Sequence, residues 1–60
     1  MRNEDAIGLD GCIVRDENYT ALAVLEVVDD VVFVKKTTAC SIGTHLYIIC
    51  RLRDLGYYAV

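Results

Sequence analysis

The residues of this chain that could do chemistry are Cys40, His45 and Cys50, spaced Cys-x4-His-x4-Cys, with Cys12 standing apart near the front. The spacing matches the latter part of a zinc knuckle of the Cys-x2-Cys-x4-His-x4-Cys kind. Thr37 stands where the first cysteine belongs, so Cys12 would have to supply that ligand from another part of the chain. On a helix, at about 100° per residue, His45 and Cys50 point roughly 140° apart, and one tetrahedral ion could take both only if the helix were given up. Leu46-Tyr47-Ile48-Ile49 between them favours keeping the helix. No metal and no other cofactor is therefore expected. Because structural zinc carries much of the folding energy of a small domain, a chelator is expected to leave this fold intact.

Nucleophilic chemistry would need a thiol activated beside His45 and a pair of donors for an oxyanion. Cys50 falls on a different side of the helix from His45, and no glycine-rich loop accompanies Cys40. The three cysteines read as small buried side chains and the histidine as a satisfied or rim residue. The acidic pairs Glu4-Asp5, Asp16-Glu17 and Asp29-Asp30 are sequence neighbours without calcium-loop spacing, and their ordinary role is in turns and solvation. Gly8-x2-Gly11 lacks the Lys-Ser/Thr of a phosphate loop and reads as a bend. No residue is assigned to catalysis, and an enzyme is not expected.

The elements that must position these side chains belong to one small domain spanning 1–60, since 60 residues cannot support two cores. A hydrophobic share of 55% predicts a folded core. Three cysteines cannot all pair within one chain, and reduced thiols in a cytoplasmic setting fit their number. Met1 to Asp5 lacks the features of a secretory signal, and no apolar run approaches the ~20 residues of a membrane span.

Charge is uneven. Residues 1–18 hold five acids and two bases, residues 19–40 three and two, and residues 41–60 one and two. Lys35-Lys36 and Arg51/Arg53 are too small a cluster for direct nucleic-acid binding. The net charge of −3 reads as ordinary solubility, with nucleic-acid mimicry towards a basic partner as the alternative.

Residues 1–9 are expected to be irregular or frayed, followed by at most an edge strand at Cys12-Ile13-Val14. Residues 20–38 hold nine β-branched side chains in nineteen, a strand composition interrupted by Asp29-Asp30. A hairpin of strands at about 19–28 and 31–38 follows, its paired residue numbers summing to 59. A two-residue primed turn ordinarily prefers glycine, so a longer type I connection would also serve. One face of the hairpin, Tyr19, Ala21, Ala23, Leu25, Val27, Val32 and Val34, reads as the side under the helix. The other carries Leu22, Val24, Glu26, Val28, Val31, Phe33 and Lys35 and is more apolar than a solvated face. Asp16-Glu17-Asn18 reads as a turn, with Asn18 the residue suited to positive φ.

From Ser41 the period becomes helical, over about 42–55, with Ser41 or Thr44 as cap and Gly56 as stop. The apolar arc of this helix covers about 220°, against a minimum of ~100° for a surface helix. Tyr57 to Val60 reads as a short terminal strand or a tail. The fold class is thus α+β: a three-stranded antiparallel meander with one C-terminal helix on one face.

A single sheet and helix cover one face each, which leaves apolar surface over. The residues expected to meet a partner are Val24, Val31 and Phe33 on the sheet, Tyr47, Ile48, Leu52 and Leu55 on the helix, and Tyr57 after it. The expected function is a small protein-binding module that acts as a homodimer, or as an inhibitor or adaptor docking on a larger protein. A purely structural homo-oligomeric domain is the alternative. Compact phage-encoded inhibitors share this size and charge, an analogy without residue-level support.

Overall fold

A computed structural model describes residues 8–60, and every structural statement below refers to them. The expectation of an irregular or frayed start covers residues 1–9, of which 1–7 lie outside the described residues. Gly8 to Gly11 form a turn, and Leu9 packs half-buried against the core.

Strands β1 (Ile13–Arg15), β2 (Ala21–Val28), β3 (Val31–Lys36) and β4 (Tyr58–Ala59) form one sheet in the order β1-β2-β3-β4, and helix α1 (Ile42–Asp54) connects β3 to β4. The first three strands are the expected antiparallel meander. The terminal segment is a strand, and because a helix separates it from β3 it pairs with β3 in parallel.

The β2–β3 register is the one whose residue numbers sum to 59, from Ala23↔Lys36 to Val28↔Val31. Asp29 and Asp30 make the connection alone, both left-handed at φ 51° and 68°. A two-residue loop with positive φ at both positions matches the right-handed twist of its strands, and Asp tolerates that conformation better than most residues.

The β1–β2 turn departs from expectation at two points. Asp16 Oδ1 accepts from the backbone N–H of Asn18 (2.8 Å) and of Thr20 (2.9 Å). The left-handed residue is Tyr19 (φ 63°), where Asn18 was expected. Tyr19 was also placed in the core by extending strand alternation back past Ala21. The left-handed backbone breaks that alternation, and its side chain is 81% exposed. Strand β1 begins one residue later than expected and is interrupted by a bulge between Val14 and Arg15.

Helix α1 starts at Ser41, whose Oγ accepts from Thr44 N–H at 3.1 Å. It ends in a Schellman arrangement: Gly56 N–H donates to Arg53 O (3.0 Å) and Tyr57 N–H to Leu52 O (3.0 Å), with Gly56 at φ 99°. The core is Ala23 and Leu25 of β2, Val32 and Val34 of β3, Ile49 and Leu52 of α1, and Ala59 of β4. Leu52 was expected to remain uncovered, yet it is buried as a member of the core. The apolar arc alone did not say which part of it meets the sheet.

Two side chains complete the sheet edges. The outer side of β3 is satisfied by Val60, whose N–H donates to Val32 O (3.0 Å) and whose carbonyl accepts from Val34 N–H (2.9 Å). Beyond it, His45 Nε2 lies 2.8 Å from Val34 O; a carbonyl can only accept, so the ring nitrogen donates. On the far side of β2, Asp10 Oδ1 accepts from Val27 N–H at 3.0 Å, in the place of a longer β1.

Candidate functional site

The chemistry-bearing residues come apart in space. His45 is committed to Val34. Cys40 is buried with its Sγ near Ser41 O (3.4 Å). Cys12 and Cys50 are exposed, contrary to the expectation of buried thiols, because Cys50 falls past the rim of the helix's core-facing stripe and Cys12 lies in the lead-in to the edge strand. Among the described residues no group of three or more Cys, His, Asp or Glu side chains gathers where it could hold a metal.

What the fold does assemble is an apolar surface on the sheet face opposite the helix. Residues alternate across a strand, so with Ala23, Leu25, Val32 and Val34 directed to the core, Leu22, Val24, Val28, Val31 and Phe33 point away from it. The outer strands extend this surface: Ile13 is the partner of Val24, Tyr58 is the partner of Val31, and Val60 follows two residues on. Phe33 is 38% exposed, Val24 37% and Val28 46%, values that leave a large part of each apolar side chain in water.

One ion pair, Glu26–Lys35, crosses the middle of this face. Glu26 is directly opposite Phe33, and Lys35 is opposite Val24. The four side chains therefore form a quadrilateral with the charges on one diagonal and the apolar groups on the other. Both charged groups are well exposed, so their mutual attraction adds little to stability. A shallow depression of about 260 Å3 lies between Glu26, Val28, Phe33 and Lys35.

Comparison with protein-family models, with curated proteins and with solved structures gave no match.

A second, larger depression of about 560 Å3 wraps the β4 edge, lined by Val31, Arg53 and Gly56 to Val60. Val60 turns both its backbone groups to β3, so those of Ala59 face outward. Arg53 Nε donates to Ala59 O at 2.9 Å and thereby closes the edge to an incoming strand.

The expected partner-binding residues thus divide. Val24, Val31 and Phe33 share the outer sheet face. Tyr57 is half-buried at the β4-edge depression. Tyr47 and Leu55 are exposed on the helix, on the opposite side of the sheet. Ile48 is half-buried against the core and Leu52 is within it, so these two are not open anchors. Val28 and Leu22 could have been added from strand parity alone. Ile13, Tyr58 and Val60 could not, since their pairing depends on registers that no turn in the sequence fixes.

Proposed function

We propose that this chain is a non-catalytic protein-binding module that docks through the outer face of its sheet. The observation that carries this reading is the apolar surface that extends over all four strands around the Glu26–Lys35 pair, with Phe33 near its middle. Burial of apolar area at about 25 cal/mol per Å2 is the main driving force of association, and aromatic residues at the centre of such a patch carry a disproportionate share of it. The histidine and the buried thiol are held by structural hydrogen bonds, which supports a binding role over a catalytic one. An inhibitor or adaptor acting on a larger protein would use this same face.

The test compares Phe33→Asp with Tyr47→Ala. Phe33→Asp places a carboxylate in a surface that must lose its water, and it is expected to weaken association by about 2 kcal/mol or more. Tyr47→Ala, on the far side of the molecule, should change affinity by no more than about 0.5 kcal/mol. Equal effects of the two substitutions would remove the sheet face as the binding surface.

A further inference from the structure

The outer sheet face fits a second copy of itself, and we infer that this chain forms a two-fold dimer in which Glu26 of each copy meets Lys35 of the other. The inference rests on the protein-binding reading above and names its partner. Its basis is the quadrilateral Val24, Lys35, Phe33 and Glu26 on the two central strands.

A face-to-face homodimer has its two-fold axis in the plane between the sheets, and each direction of that axis gives a different overlay. An axis parallel or perpendicular to the strands stacks both charges of each copy on the apolar residues of the other. An axis along the Glu26–Lys35 diagonal puts Glu26 on Glu26 and Lys35 on Lys35. An axis along the Val24–Phe33 diagonal stacks Phe33 on Phe33 and Val24 on Val24, and it brings each carboxylate over the partner's ammonium group. Only this last arrangement pairs every group with its complement. The two intrachain ion pairs then close into a ring of four alternating charges, shielded from water by the apolar rim. With the axis on a diagonal, the strands of the two sheets cross at a steep angle, near the orthogonal class of sheet packing.

Charge agrees with this occupant, and area limits its strength. The chain carries −3 overall, yet the centre of this face holds one acid and one base, so two copies brought together here accumulate no net charge. The four strands hold 3, 8, 6 and 2 residues, each covering about 4.8 Å by 3.3 Å of the face. These residues cover about 300 Å2 per copy and about 600 Å2 in total, the size of a weak, transient contact. The dimer should therefore be reversible.

Sedimentation of the whole chain under reducing conditions tests this, since exposed Cys12 and Cys50 could otherwise link copies covalently. The wild-type chain should sediment as a concentration-dependent dimer. E26K leaves four positive charges at the centre of a homodimer and K35E four negative ones, so each variant alone should associate at least about 10-fold more weakly. An equimolar mixture of E26K and K35E should recover dimers, one chain of each kind. Recovery also shows that both variants fold. A monomeric wild type up to high micromolar concentration, dimers indifferent to either charge change, or a mixture that stays monomeric would each overturn the two-fold arrangement. The broader binding reading is separable. A monomeric wild type whose binding to another protein is lost in Phe33→Asp would sink the dimer alone, whereas wild-type dimers unaffected by Phe33→Asp would sink both.

Discussion

Tyr19 holds a left-handed backbone that Asn18 beside it would accept with less strain, and its side chain makes no use of the core. The left-handed conformation costs an ordinary residue about 1–2 kcal/mol. Tyr19→Asn should therefore raise unfolding free energy by about 0.5–1 kcal/mol in a urea titration. A loss of stability would mean that the tyrosine makes a contact absent from this account. The turn around it depends on Asp16. Asp16→Ala removes acceptors from two backbone N–H groups and should cost about 1–2 kcal/mol, while Asp16→Asn, which keeps an oxygen in place, should cost less than half of that. These details were only partly legible beforehand. Composition located the turn at Asp16-Glu17-Asn18, but which residue turns left-handed depends on how Asp16 folds back on Thr20, and a window of residue types does not contain that.

At the scale of elements, the hairpin was legible because two constraints agreed. Asp29-Asp30 fixed where the chain reverses, and the alternation of Leu25, Val27, Val32 and Val34 fixed which face is buried. The helix was legible from its period and from Ser41 and Gly56 at its ends. Gly56 has open space where a Cβ would go, so the cost of Gly56→Ala is conformational, about 1–2 kcal/mol at φ 99°, and a chemical melt should register it. Leu52→Ala should cost more, about 2–4 kcal/mol, because it opens a cavity in the core that the sequence had not assigned to Leu52. A cost below about 1 kcal/mol would place Leu52 on the rim instead. The parallel pairing of β4 was beyond sequence reach. Two residues carry no usable period, and their position is set by the helix end, by Val60 on β3 and by Arg53 on Ala59.

For the whole molecule, the sheet divides two apolar surfaces and covers only one. Helix α1 lies over the core face, and no other described element lies over the face that carries Val24, Val28, Val31 and Phe33. The sequence had already marked that face as too apolar for water, but it grouped it with helix residues that the fold places on the other side. The two groups could be told apart only once it was known which part of the helical arc meets Leu25 and Val32. The most direct measurement is site-resolved photo-crosslinking in the cell that makes the protein, with a photoreactive phenylalanine analogue placed at position 33 in one chain and at position 47 in another. The outer-face account predicts discrete protein adducts, to a second copy or to another protein, from position 33 and only background from position 47. Adducts from position 47 with none from position 33 would contradict it.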